Sequence, residues 1–110
     1  MEQERVIRLV LRQIKDIQSQ ADKILSDKAD EDIQNFTRYS IELKNFIADR
    51  IDDEKINSYL KEIQDVEYTP RFITRRWTFW ENIAKSNALE EINTVRGKYA
   101  HLELLIKQLT

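Results

Sequence analysis

Apolar residues recur at alternating spacings of three and four along the first part of the chain. This spacing places their side chains on one face of an α-helix. The opposite face is mainly Arg, Lys and Gln, so the helix predicted over 3–25 is amphipathic and must pack against another element. The apolar series is Ile7, Val10, Ile14, Ile17, Ala21 and Ile24, widened by Val6, Leu9, Leu11 and Leu25.

Two further apolar series follow a polar connection over 26–30. Asp30 is a candidate N-cap for the second helix, and Asp52 is a candidate N-cap for a third. Ile51 and Ile56 flank Asp52 at the spacing of a hydrophobic staple. No Gly or Pro lies between the second and third predicted helices, so these two could also form one kinked helix. The second series is Ile33, Phe36, Ser40, Leu43 and Ile47, and the third is Ile56, Tyr59, Leu60, Ile63 and Val66.

The clearest boundary in the chain lies at Thr69 and Pro70. Proline suits the first position of a helix and threonine its N-cap. The apolar series that follows shifts its phase near Asn87, where Asn87 and Glu90 resemble a capping box. An unbroken helix over 70–109 would be about 60 Å long. We therefore expect either a break near Asn87 or a projecting helix that a partner covers.

The composition favours an all-α fold. One Gly and one Pro in 110 residues are too few for the turns of an all-β fold. The length fits one domain over 1–110. We predict an antiparallel helical bundle of four to five helices. Its expected core is Ile7, Val10, Ile14, Ile17, Phe36, Leu43, Ile47, Leu60, Ile63, Trp77, Trp80, Val95, Tyr99 and Leu102.

The residue counts exclude several kinds of chemistry. The chain has no Cys and one His, which excludes a disulfide scaffold, a Cys-based zinc site and a cysteine nucleophile. The acidic runs at 30–32 and 52–54 lack the spacing of a calcium-binding loop and are read as helix-start acids. We expect no metal and no cofactor. With no apolar run long enough for a membrane span and no signal-peptide pattern, we expect a cytoplasmic protein without membrane contact.

Arg96 is followed a few residues later by His101, the only histidine of the chain. This pair resembles the Arg–His motif of the HEPN family, whose members are compact all-α domains that often cleave RNA as dimers. The resemblance covers 96–101 and implies a metal-independent ribonuclease or RNA-binding domain, with His101 as acid/base and Arg96 holding the phosphate. Many members carry Asn where this chain has Gly97.

Helical geometry sets a condition on this motif. On a continuous helix the side chains of Arg96 and His101 would point about 140° apart, so they converge only if the helix starts or bends near Gly97. The alternative interpretation is an ordinary surface or half-buried histidine. Gly97 would then allow the close approach of a neighbouring helix.

Basic and aromatic residues cluster just after the predicted helix start. Positive side chains beside free backbone N–H groups favour an anion, and aromatic rings can stack on bases. In the alternative interpretation the tryptophans belong to the core, and the acids Glu62, Asp65 and Glu67 neutralise the arginines. The candidate phosphate-binding or nucleic-acid-binding residues are Arg71, Arg75 and Arg76, and the candidate interaction surface is Trp77, Phe79 and Trp80.

The patterns favour a non-enzymatic helical-bundle module for interaction or assembly. Apolar faces with heptad-like spacing pack equally well inside one bundle or between chains. We therefore expect self-association or a partner protein. The alternatives are RNA cleavage or binding through Arg96 and His101, and phosphate or nucleic-acid binding through the three arginines.

Overall fold

The computed structural model describes residues 2–68 and 78–109, with side chains described over 3–68 and 83–109. These ranges hold four helices and no strand, which confirms the predicted all-α class. The helices are α1 (Glu2–Asp27), α2 (Asp30–Arg50), α3 (Glu54–Leu60) and α4 (Thr78–Lys107).

The apolar faces of the helices meet in one core. Helix α1 packs against both α2 and α4. Helix α3 also packs against α2 and α4. Every predicted core residue with a described side chain is buried, whereas Trp77 and Trp80 lie outside the described side chains. Leu9 is wrong as a widening position of the α1 face, because its side chain is 43% exposed. The apolar series of α1 thus packs within one chain against the buried residues of α4, which are Ala88, Ile92, Val95, Tyr99, Leu102 and Ile106.

A buried polar pair crosses this core between α2 and α4. The phenol of Tyr99 donates to the carbonyl oxygen of Ser40 at 3.1 Å, and its oxygen lies 2.8 Å from Ser40 Oγ. Because the single phenol proton goes to the carbonyl, the Ser40 hydroxyl donates to the phenol oxygen. Both residues are buried, and burial raises the pKa of Tyr99 above its ordinary value.

The connection between α1 and α2 is short, and its capping differs from the prediction. Lys28 has a φ of 57° and donates its N–H to the carbonyl of Ile24, which closes α1 in the manner usually left to glycine. Ala29 is the N-cap of α2 and offers no side-chain hydrogen bond. Asp30 is therefore the first helical residue and not the cap.

Helices α2 and α3 are separate elements, so the single kinked helix is excluded. Ile51 has extended backbone, and the chain re-enters a helix at Glu54. The N-cap of α3 is Asp53, whose carboxylate accepts the N–H of Ile56 at 3.0 Å. The prediction of Asp52 was wrong by one residue.

The chain leaves helical geometry after Leu60, although the prediction continued the third helix to Val66. The segment 61–68 is non-helical, yet Ile63 and Val66 are buried. Backbone carbonyls outside a helix need other donors. Side chains of the neighbouring helices supply them: Thr37 donates to Val66 at 2.8 Å, Lys44 donates to Ile63 at 2.9 Å, and Lys98 donates to Glu62.

Helix α4 runs through Ser86 and Asn87 without interruption, so of the two alternatives the break near Asn87 is excluded. Its 30 residues span about 45 Å, within the 56 Å long dimension of the molecule. The predicted helix start at Thr69 and Pro70 lies outside the described residues. None of the helices in the described ranges combines the length and apolar character needed to cross a bilayer.

Candidate interaction surface and the predicted site residues

Arg96 lies on the flank of α4 that faces α1. Its guanidinium forms an ion pair with the carboxylate of Asp22. The side chains remain 41% and 60% exposed, so solvent screens the pair and it adds little to stability. Arg96 is thus held toward α1 by a surface acid.

His101 lies on the other flank of α4, which faces α3. Its ring centroid is 4.9 Å from that of Tyr59, and the two rings are tilted by 47°. The pair borders a shallow groove of about 260 Å³, completed by Lys55, Glu62 and neighbouring residues. Sequence reasoning missed Tyr59 and this groove because the contact joins two distant parts of the chain, and no local motif signals it.

The structure does not bring Arg96 and His101 together within one chain. Helix α4 continues through Gly97 without a start or a bend, so the two side chains point to different neighbours, Asp22 and Tyr59. Gly97 is exposed and has no positive φ. A Cβ added at this position would meet no atom of the described residues within 4 Å, so no described helix makes the close approach expected at Gly97.

The acidic runs take structural roles. Asp30 accepts a hydrogen bond from the Tyr68 hydroxyl at 2.9 Å and forms a salt bridge with Lys85 at 3.0 Å. The hydrogen bond from Lys85 lowers the pKa of Asp30, with a further contribution from Tyr68 that partial burial opposes. Asp53 caps α3. Over 3–68 and 83–109, His, Asp and Glu side chains form no group of three or more that could hold a metal ion.

The basic and aromatic candidates stay predictions. Arg71, Arg75, Arg76 and Trp77 lie outside the described residues, while Phe79 and Trp80 belong to the first turn of α4 with side chains outside the description. Of the acids expected to neutralise the arginines, Asp65 forms a salt bridge with Lys44.

The solvent-facing side of α4 carries an unusual set of residues. We call it the outward face and define it by eight exposed residues that repeat at helical spacing. Its two ends are the apolar side chains of Ile83 and Leu104, which are 38% and 58% exposed. Between these ends the outward face has two ionisable side chains, the carboxylate of Glu90 and the imidazole of His101. The outward face is Ile83, Ser86, Glu90, Asn93, Thr94, Gly97, His101 and Leu104.

The exposed side of α1 provides the contrast. It is dominated by charge, as expected for a helix side that remains in water. The chain has 35% charged residues. The outward face of α4 has few, so it differs from the solvated side of an ordinary surface helix. The exposed charged residues of α1 are Glu4, Arg5, Arg8, Arg12, Lys15, Asp16, Asp22, Lys23 and Asp27.

A groove with aromatic side chains in its lining lies between α1 and α2. The groove, of about 250 Å³, is lined by Tyr39, Phe46 and adjacent residues, and the guanidinium of Arg50 lies 5.1 Å from the centre of the Phe46 ring. Burial, together with a hydrogen bond to Asp16, raises the pKa of Tyr39 to about 12. This groove is bordered by the charged side chains of Glu42 and Arg50.

Comparison of the chain with protein-family models, with curated proteins and with solved structures finds no match in any of the three.

Proposed function

We propose that this chain is a non-enzymatic interaction or assembly module, a single antiparallel helical bundle that binds protein through the outward face of α4. The observation that carries the proposal is the composition of that face. Ile83 and Leu104 are exposed at its ends, and Glu90 is its only carboxylate. Protein interfaces are depleted in charge at their centres, whereas freely solvated helix sides are not.

The antiparallel arrangement is supported by the pairings between α1 and α4. Gln18 donates to Glu103 at 3.2 Å, while Asp22, four residues later in α1, pairs with Arg96, which precedes Glu103 in α4. Side-chain pairs whose order reverses between two helices are expected for antiparallel neighbours. The two-residue link between α1 and α2 likewise favours an antiparallel turn.

The apolar residues that the sequence suggested for a partner are used inside the bundle. The α1 series is buried in the core and is not available to a partner. The same holds for the α4 residues Ala88, Ile92, Val95, Tyr99, Leu102 and Ile106. The outward face of α4 provides that surface instead. The separation of Arg96 from His101 supports a non-enzymatic role, because their side chains contact Asp22 of α1 and Tyr59 of α3 and do not converge on one phosphate.

Site-specific photo-crosslinking in cells tests this function. A photoreactive amino acid replaces Thr94 on the outward face, and a matched variant carries it at Gln34, an exposed position of α2. We expect a cross-linked protein adduct from position 94 and none from position 34. The absence of an adduct at both positions, or equal adducts at both, would contradict the proposed interface.

A further inference from the structure

We infer that the partner on the outward face of α4 is a second copy of this chain, with the two α4 helices antiparallel about a two-fold axis between Asn93 and Thr94. This inference rests on the proposed function and names its partner. A two-fold interface uses the same surface patch on both copies, so the patch must be complementary to itself. The outward face meets this requirement in one register.

The exposed apolar residues set that register. Ile83 and Leu104 lie about 31 Å apart along α4. An antiparallel pairing that places Ile83 of one copy against Leu104 of the other puts the axis midway between them, at Asn93 and Thr94. Both exposed apolar side chains are then covered at each end of the interface.

The polar residues agree with the same register. Glu90 of one copy faces Gly97 of the other, Ser86 faces His101, and Asn93 faces Thr94. Every residue of the outward face therefore meets another member of that face. No residue is left opposite the charged side chains that border it.

Glu90 and Gly97 form the most informative pair. The Glu90 carboxylate has no hydrogen bond or ion pair among the residues whose side chains are described, and the Thr94 hydroxyl donates to the Glu90 backbone carbonyl at 3.1 Å, not to its carboxylate. Gly97 has open space where a Cβ would stand, as far as the residues described in the structure are concerned. In the antiparallel register, Glu90 lies over this open space, next to Thr94 and His101 of the second copy.

The parallel alternative is less favourable on charge. A parallel, in-register pair would place Glu90 directly against Glu90 of the second copy, and facing like charges destabilise an interface. It would also bring the two glycines together and leave their open space unfilled. The antiparallel arrangement avoids both effects.

The contact area indicates a weak dimer. A helix face about 31 Å long and about 10 Å wide is smaller than the surface of about 800 Å² per partner that stable complexes bury. We therefore expect association at high micromolar concentration and a monomer at low concentration. Sedimentation equilibrium of the purified chain, from about 10 µM to about 1 mM, measures this transition directly.

Two charge insertions at exposed leucines give the matched comparison. Leu104→Glu changes the outward face, whereas Leu9→Glu changes an exposed leucine of α1 away from it. We expect Leu104→Glu to weaken association at least tenfold and Leu9→Glu to leave it unchanged. Circular dichroism at low concentration checks that both variants remain folded.

Engineered cysteines test the register, because the natural chain contains none. Thr94→Cys lies beside the proposed axis and should form a disulfide-linked dimer on mild oxidation, whereas Gln34→Cys should not. A mixture of Ile83→Cys and Leu104→Cys should form the mixed dimer, and neither variant alone should cross-link. Homodimers of Ile83→Cys would overturn the antiparallel register.

The outcomes separate this inference from the proposed function. A chain that stays monomeric at all concentrations, or a dimer broken by Leu9→Glu and not by Leu104→Glu, overturns the self-pairing. If position 94 nevertheless cross-links to a different protein in cells, the interaction function stands and only the identity of the partner is wrong. If neither self-pairing nor an adduct is seen, both fail.

Discussion

The hydrogen-bonded pair of Tyr99 and Ser40 gives the sharpest test of the core. Replacing Tyr99 with Phe removes one oxygen and keeps the ring. The phenol donates to the Ser40 carbonyl at 3.1 Å and lies 2.8 Å from Ser40 Oγ, and both residues are buried. The substitution therefore deletes two buried hydrogen bonds that join α2 to α4, with little change in packing.

The size of the effect follows from what each group does afterwards. The Ser40 carbonyl keeps the helical N–H of Lys44, and the Ser40 hydroxyl can turn to the carbonyl of Phe36 one turn earlier. Since neither group is left fully unsatisfied, we expect Tyr99→Phe to lower the free energy of unfolding by about 1–2 kcal/mol. Ser40→Ala leaves the phenol its backbone acceptor, so its cost should be about 0.5–1 kcal/mol.

Urea unfolding followed by circular dichroism at 222 nm measures these differences. A loss of about 1–2 kcal/mol moves the midpoint by about 0.5–1 M urea at a typical slope. The double variant should lose less than the sum of the single losses, because removing both partners leaves no buried group without a bond. Tyr59→Phe is the control, since the Tyr59 hydroxyl makes no hydrogen bond within the described part of the chain, and it should change little.

Either of two results would refute this reasoning. The first is a Tyr99→Phe variant within about 0.5 kcal/mol of the unmodified protein, which would mean that the polar pair adds nothing beyond the buried ring. The second is an additive cycle between Tyr99 and Ser40, which would mean that the two side chains do not act on each other.

Four further expectations follow. Gly97→Ala should stabilise the monomer by about 1 kcal/mol in urea unfolding, since the site is exposed, helical and open. It should also weaken self-association, because the added methyl occupies the space assigned to the second copy. An increase of both monomer stability and self-association would contradict this. Asp53→Ala should cost about 1 kcal/mol of unfolding free energy and Asp52→Ala almost nothing, and the reverse order would contradict the cap. Because the pKa of Tyr99 is raised, the unfolded chain loses that proton first as pH rises above 10, so the unfolding free energy should fall there, and Tyr99→Phe should reduce the fall measured between pH 8 and pH 11. Mixed-sequence RNA should remain intact with the unmodified protein and with His101→Ala on a denaturing gel; cleavage lost in the variant would assign catalysis to His101.

The helices and their buried faces could be predicted because helical periodicity is a local signal. The core positions of α1, such as Val10 and Ile14, lie where the three-and-four spacing placed them. The helix ends were less accessible. Asp52 and Asp53 offer the same carboxylate, and only the backbone turn at Ile51 determines which of them reaches an N–H.

The segment 61–68 shows why burial does not determine conformation. Ile63 and Val66 are spaced three apart, which suits a helix face, but the same residues are buried in non-helical chain. The donors that make this possible, on Thr37 and Lys44, come from another part of the sequence. Helical geometry predicted that Arg96 and His101 point apart on a continuous helix. It did not predict which neighbours they meet, because the contacts with Asp22 and Tyr59 are long-range.

The side-chain anchoring of 61–68 determines where the domain opens first. A helix is released only by breaking a cooperative ladder, whereas this segment is attached to α2 and α4 by a few separate donors, including Lys44 and Lys98. Its detachment uncovers Ile63 and Val66 while the long helices stay wound. Local unfolding should therefore differ between the two sides of the bundle. Amide exchange and proteolytic cleavage should be concentrated in 61–68, whereas the amides of α1 should stay protected up to global unfolding.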